Sequence, residues 1–370
     1  MERARSRRLR AGAALAALLL AGGLAPVRPA AAAAKERLVY AIVHKGAGYE
    51  AGHTEIYSLD LDSGERRLLF TDEGSPIVLL QRLYVFHFPV VGGHRIYAHG
   101  AERGAAGPVP GNGAIYEIST DGSGTCRKIA RVAGEESVGD LCADPKGTRV
   151  GYIARLKRRH YLFLHDTSTG SIARKVDVTG MILDCVVSAL GWDPRSGRLY
   201  LSAESGDSDI TSEASYARAG TYVFDEAGVR WTKIASLPPL PGFHPPESAR
   251  MIGTLPDGRY VFETMQLAAR PASGPARFSF SVESFDPATG RVGEIGFHSV
   301  GGRPPGGRLA PILSPSGVYL AGATPPGATS ARSQEIWVKD LRTGVERMPV
   351  SIPCEGAEGP FLGLVGWLPR

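Results

Sequence analysis

The chain predicts an all-β fold, a six-bladed β-propeller of four-stranded antiparallel blades, on three observations. The first is a proline-bearing turn that recurs at Phe88-Pro89 to Gly93, Asp144-Pro145-Lys146-Gly147, Trp192-Asp193-Pro194 to Gly197, Leu255-Pro256-Asp257-Gly258, Leu313-Ser314-Pro315-Ser316-Gly317 and, cut short, Gly366-Trp367-Leu368-Pro369-Arg370. The second is a turn with Asp and Gly at 60 and 64, 166 and 170, 286 and 290, and 340 and 344, with tighter versions at Asp121-Gly122 and Asp225 to Gly228; the two series alternate without a miss. The third is spacing: Gly64, Gly122, Gly170, Gly228, Gly290 and Gly344 lie 58, 48, 58, 62 and 54 residues apart. In a chain of short strands, such a period marks a propeller or solenoid.

In chain order, the first segment stands outside the fold. Arg3, Arg5, Arg7, Arg8 and Arg10 precede an uncharged Ala/Leu run from Ala11 to Ala25, and Pro29 to Ala34 offers small residues at the cleavage positions. Residues 1–34 therefore read as a secretory signal peptide cut near Ala33 or Ala34. The apolar run, about 15 residues, is short of the roughly 20 that cross a bilayer as a helix. No Cys precedes Cys126 to carry a lipid, and Arg10 sits where a twin-arginine signal prefers an apolar residue. Residues 35–370 are then expected to form a single propeller domain.

Within that domain, alternation and β-branched or aromatic content bounded by turn residues give the strands. Second strands follow the proline turns at Arg149 to Ala154, Arg198 to Ala203, Arg259 to Thr264 and Val318 to Ala323. Third strands precede the Asp/Gly turns at Glu55 to Leu59, Ala114 to Ile118, Tyr161 to His165, Thr221 to Phe224, Ser281 to Phe285 and Glu335 to Val338. More polar fourth strands follow, such as Arg66 to Phe70 and Arg127 to Val132. Phe361 to Pro369 reads as an inner strand lacking successors, and Arg37 to Val43 as a second strand lacking an inner one. Joined, they complete a blade, close the ring and remove open sheet edges.

Of 42 Lys and Arg and 37 Asp and Glu, residues 1–34 hold six bases and one acid, which leaves 36 of each in the domain. That balance argues against a nucleic-acid or anionic-lipid partner. Lys157-Arg158-Arg159 reads as a solvated turn. Cys126, Cys142, Cys185 and Cys354 permit two disulfides, but Cys142 and Cys185 sit at opposite ends of neighbouring inner strands, roughly 20 Å apart along the strand axis. Cys142 is expected to remain a thiol.

The turns Trp192-Asp193-Pro194 and Leu255-Pro256-Asp257-Gly258, with the hairpin Ile56-Tyr57-Ser58-Leu59-Asp60-Leu61-Asp62-Ser63-Gly64-Glu65, resemble the WD40-like repeats of the TolB-type propellers. Those show W-S-P-D-G, an apolar strand, then I-Y-hydrophobic-D-L-x-x-G. The resemblance spans nearly the whole domain, although only Trp192 and Trp367 keep the tryptophan and the turn at Phe88 is longer. It implies the six-bladed fold. Propellers of this type serve as periplasmic interaction modules, as sensor domains and as gates on peptidases.

Chemistry is harder to find. A peptidase of the prolyl oligopeptidase type needs a hydrolase domain for which no residues remain, and no G-x-S-x-G nucleophile elbow occurs; Gly206-Asp207-Ser208-Asp209 lacks the second glycine. His87, His94 and His99 cluster in sequence, but 94 and 99 differ by an odd number and would point to opposite faces of one strand. No metal, no cofactor and no catalytic residue is expected. Asp60, Asp62, Asp166, Asp286 and Asp340 occupy turn positions where a short carboxylate accepts backbone N–H groups.

The binding surface is expected on one face. Connections from second to third strand are long in five blades, at His44 to Thr54, His99 to Gly113, Glu204 to Gly220, Gln266 to Arg277 and Gly322 to Gln334. They emerge where inner strands begin, and loops on a rigid scaffold favour binding. The candidates there are His44, Tyr49, His53, His99, Arg103, Asp207, Asp209, Phe243 and His244, with Glu136, Asp184, Glu247 and Arg308 at the channel mouth. The function expected is a non-catalytic binding or protein-interaction module of the bacterial envelope, periplasmic or secreted, whose partner is another envelope protein or peptide. The alternative is an exported propeller enzyme, a metal-dependent lactonase or a glycan-active lyase or hydrolase, with its site at the channel mouth.

Overall fold

Carboxylates shape the turns as the sequence leads one to expect. Asp60 Oδ1 accepts the N–H groups of Asp62 and Ser63 at 2.9 and 3.2 Å, and Asp166 Oδ1 those of Ser168 and Thr169 at 2.9 and 3.0 Å. Gly64 and Gly170 then close these turns at φ of 72° and 71°, a region open to glycine at little cost. Each turn delivers the chain from a third strand into a fourth.

The computed structural model describes residues 36–45, 51–79, 89–104, 107–108, 113–132, 136–137, 141–183, 185–205, 218–226, 230–235, 248–269, 277–302, 311–323, 333–353 and 360–369. They form six antiparallel sheets, the blades of a six-bladed propeller. The first blade joins Phe361–Pro369, Glu36–Lys45, Ala51–Asp60 and Arg66–Thr71. The second has Arg95–Gly104, Ala114–Ser119 and Cys126–Arg131, with an inner strand in two pieces, Ile77–Leu79 and Val90–Gly92, and a short return at Gly107–Pro108. The third likewise has a divided inner strand, Glu136–Ser137 and Cys142–Ala143, beside Arg149–Leu156, Arg159–Asp166 and Ile172–Asp177. The fourth comprises Cys185–Trp192, Leu199–Ser205, Gly220–Asp225 and Arg230–Ala235; the fifth, Ser248–Thr254, Tyr260–Ala269, Arg277–Phe285 and Val292–Gly302; the sixth, Ile312–Leu313, Tyr319–Ala323, Ser333–Asp340 and Glu346–Pro353.

The core lies between blades, because alternate residues of a strand face opposite neighbours. Leu38 and Tyr40 pack with Ile336, Val338, Leu364 and Trp367 at the junction of the sixth and first blades. Val39 and Ala41, one residue out of phase, pack with Ile77, Ile96 and Tyr116 toward the second blade. Equivalent clusters gather around Tyr152, Trp192, Phe262 and Trp337 at the other four junctions. The ring closes through the strand pair the sequence leads one to expect, with Arg37 opposite Leu368 and Val43 opposite Phe361. Two buried side chains fasten it to the sixth blade: Glu36 accepts the N–H and hydroxyl of Ser316, both at 2.8 Å, and Gln334 bonds the Pro360 carbonyl and the Leu362 N–H, both at 2.8 Å.

Three details depart from or refine the sequence reading. The first-blade ladder continues through the His44–His53 pair to Lys45 and Ala51, so most of the segment expected as a loop is strand; its polar residues conceal a register set by the apolar pairs below. Between the third and fourth blades a short helix, Thr179–Ile182, appears where none was expected. Ile182 and the preceding Val178 fill the junction there. Lys157 and Arg158 form a two-residue hairpin turn at φ of 50° and 64°, the solvated turn expected of that basic cluster. Cys142 Sγ–H donates to the Gly151 carbonyl at 3.3 Å, and Cys126, Cys142 and Cys185 are all thiols; Cys354 lies outside the described residues.

Candidate functional site

In the first blade, Tyr40 stands opposite Tyr57, Ile42 opposite Glu55 and His44 opposite His53. Directly opposed residues of an antiparallel pair share a face, and Tyr40, Ile42 and Tyr57 pack into the sixth-blade junction. The same face therefore ends, toward the second-to-third connection, in His44, His53 and Glu55. The tyrosine rings stack at 5.5 Å and the imidazoles at 4.1 Å, with an interplanar angle of 9° between the latter. His44 Nε2 lies 3.2 Å from Glu55 Oε2, and the Tyr57 hydroxyl donates to the same oxygen at 3.1 Å. Burial and then that bond to Glu55 push the Tyr57 phenol up to about 12, so it remains a donor at any ordinary pH. The side chains of His44 and Glu55 are 34% and 24% exposed, open enough for a solute to reach.

One ligand atom from each of His44, His53 and Glu55 lies within 4.8 Å of the others. Two imidazoles and a carboxylate make a donor set that suits borderline divalent metals. The hairpin is also held by the link between the first and second blades. Buried Asp72 accepts the Thr54 N–H at 2.6 Å and the Leu79 N–H at 2.8 Å. Burial raises its carboxyl above the ordinary range, while those N–H groups, Arg103 and His53 pull the other way.

Of the residues expected on the loop face, His44 and His53 come together. Arg103 is exposed, but its guanidinium donates to the carbonyls of Ser75 at 2.8 Å and Asp72 at 2.5 Å, so it braces a turn. His99 corrects an expectation: it is a strand residue only 9% exposed, edge-on to Tyr152 at 5.9 Å, because the second-blade strand runs on to Gly104. His94 occupies an exposed turn, and His87 lies outside the described residues. Tyr49, Asp207, Asp209, Phe243, His244, Asp184, Glu247 and Arg308 also lie outside them, as does the side chain of Glu136, whose backbone pairs with Arg155. Sequence reasoning misses Glu55 and Tyr57 as parts of a site and reads them as strand interior. The signal is available: once Tyr40 is set opposite Tyr57, two steps along each strand bring Ile42 to Glu55 and two more bring His44 to His53.

Two cavities, about 270 and 190 Å³, open among the tight turns, one lined by Arg37, His94, Thr120, Leu368 and Pro369 and the other by residues that include Asp193, Arg198 and Tyr260. Both fall below the size usual for small-molecule sites. Among the described residues, no helix is long and apolar enough to cross a membrane.

No protein-family model matches the sequence, and no curated protein matches it. Solved structures do. TolB from Acinetobacter baumannii is 16% identical, with 90% of this chain and 67% of that one covered at a TM-score of 0.54. A putative TolB from Agrobacterium tumefaciens is 13% identical over 89% of this chain and 98% of its own, at 0.49. The periplasmic gluconolactonase of Pseudomonas aeruginosa is 12% identical over 89% and 99%, at 0.46. The Acinetobacter protein carries the structural comparison, and with its six antiparallel blades the chain has the fold of the TolB-type six-bladed propellers.

Proposed function

We propose that this chain is an exported, non-catalytic propeller that acts as a binding and protein-interaction module in the bacterial cell envelope, periplasmic or secreted, after loss of residues 1–34. The observation that carries the reading is the inequality of the two faces. On one, connections are short turns held by their own carboxylates and backbone. On the other, residues 105–113, 206–219 and 324–332 separate second from third strands in the second, fourth and sixth blades. A rigid ring that varies at one face presents that face to partners. Tyr49, Asp207, Asp209, Phe243 and His244 would meet a protein or peptide of the envelope there, and the balance of 36 bases and 36 acids outside residues 1–34 disfavours nucleic acid.

The test recovers the protein from its host and sequences its N-terminus, expected at about Lys35. A photo-crosslinking residue is then placed at Asp207 on the loop face or at Asp257 on the turn face. Adducts from position 207 alone support the reading. Adducts from position 257 alone would reverse the face. Hydrolysis of a lactone or cleavage of a glycan by the purified chain, abolished in Glu136→Gln or Glu247→Gln, would make it an enzyme with its site at the channel mouth.

A further inference from the structure

We propose that His44, His53 and Glu55 form a binding site for one divalent transition-metal ion of the zinc type, with water completing the coordination. The argument begins with the backbone. Glu55 follows His53 by two positions and so shares its face, while His44 faces His53 from the neighbouring strand. Cβ atoms two positions apart along a strand are roughly 7 Å apart, and opposed Cβ atoms about 5 Å. The three side chains thus rise from the corners of a triangle and lean inward, which their mutual approach within 4.8 Å records. Donor atoms around a tetrahedral ion, at about 2.0 to 2.1 Å from it, are roughly 3.3 Å from one another. In the structure the two imidazoles are stacked, so closing the set requires at least one ring to turn about its side-chain torsions until both in-plane lone pairs meet the ion, a movement of partly exposed side chains that asks nothing of the backbone.

The support around the set fits a metal better than a chance surface cluster. The Tyr57 hydroxyl donates to Glu55 Oε2 and fixes the plane of the carboxylate, as outer partners of metal ligands do. Asp72 ties down the N–H of Thr54, midway between His53 and Glu55, so the strand that supplies two of the three ligands is held in place. Imidazole nitrogen with a single carboxylate selects zinc, nickel, cobalt or copper; calcium and magnesium require more oxygen ligands. Three protein ligands on one side leave the solvent side open. None of this depends on the binding role proposed above, and either can fail without the other.

The experiment uses residues 35–370, stripped with a chelator and titrated calorimetrically with zinc chloride, with magnesium chloride as comparison. One zinc ion per chain is expected, with no heat from magnesium. His44→Ala, His53→Ala and Glu55→Gln should each weaken zinc binding at least tenfold, Tyr57→Phe should weaken it about tenfold, and His94→Ala, in an exposed turn of another blade, should leave it unchanged. Melting curves without metal show whether each variant folds. For any that does not, cobalt in the unaltered chain provides a second reading: tetrahedral absorption bands that zinc displaces support the site, and octahedral bands overturn it. Equal zinc affinity in the folded variants, or loss of binding in His94→Ala, also overturns it.

Discussion

Asp144 holds the turn that opens the third blade. Its buried carboxylate accepts the Thr148 N–H at 2.6 Å and the Arg149 N–H at 3.1 Å through Oδ1, and the Thr148 hydroxyl at 2.6 Å through Oδ2. The carbonyl of Gly147 in the same turn receives the hydroxyls of Tyr97 at 2.7 Å and Thr167 at 2.8 Å, which links the turn to the second blade. Asp144→Ala takes the acceptor from three partly buried donors at once, and a loss of about 1 to 3 kcal/mol is expected. It should appear as a lower urea midpoint with an unchanged m-value. The other turn carboxylates act together instead. Hydrogen bonds from neighbouring hydroxyls and N–H groups hold Asp166 and Asp286 below the usual carboxylate range, the Arg342 side chain does so for Asp340, and Ser123 brings Asp121 down to about 2. An acid whose pKa is lower folded than unfolded binds fewer protons in the folded state. Its stabilisation is complete above the unfolded value, near 3.8, and disappears as pH falls through the folded one. The melting temperature should therefore fall between about pH 4 and pH 2. It should fall less steeply in the triple variant Asp166→Asn, Asp286→Asn, Asp340→Asn, which starts lower at neutral pH.

Among the elements, the Lys157-Arg158 turn carries avoidable strain. Both residues adopt positive φ, a conformation that two-residue hairpins reserve for Asn and Gly. The double variant Lys157→Asn, Arg158→Gly should stabilise the protein by roughly 0.5 to 1 kcal/mol, measurable by urea denaturation. A stable third blade with the original pair follows from the strands it joins, since Tyr152 and Phe163 stack across them at 5.5 Å. Elements with a strong local signal are legible in the sequence: this turn, the Asp/Gly hairpins and the second and third strands between them. Elements defined by long-range register are not. His44 and His53 look like loop residues because nothing local distinguishes a polar strand end from a loop, and only the pairing of Tyr40 with Tyr57 fixes their opposition. His99 is misplaced for the same reason, its strand running on past the point where hydrophobic alternation fades. The helix Thr179–Ile182 is shorter than any period the sequence could display.

The molecule as a whole depends on the junction between its first and sixth blades. Phe361, Leu362, Leu364, Val365, Trp367 and Leu368 are all buried: Leu362, Leu364 and Trp367 face the sixth blade, Val365 and Leu368 face the second, and Trp367 stacks on Tyr319 of the sixth blade at 5.8 Å. At about 1.5 to 3 kcal/mol for each large apolar side chain, the strand contributes on the order of 10 kcal/mol, comparable to the entire stability of a typical domain. Deleting residues 360–370 should leave a chain without a cooperative melting transition. Gln334→Ala, which removes only the clasp, should cost about 1 to 3 kcal/mol and preserve the ring. An unchanged melting temperature in the truncated chain would contradict the closure. The same arrangement imposes a schedule on synthesis. Leu38-Val39-Tyr40-Ala41-Ile42-Val43 is an uncharged, β-prone hexapeptide without proline, the composition of an amyloid-forming segment. Its inner partner is made roughly 320 residues later, at 5 to 20 residues per second an interval on the order of 20 to 60 s. Throughout that interval the inner edge of the hexapeptide is unpaired, the condition in which such a segment can recruit the same segment of a second chain.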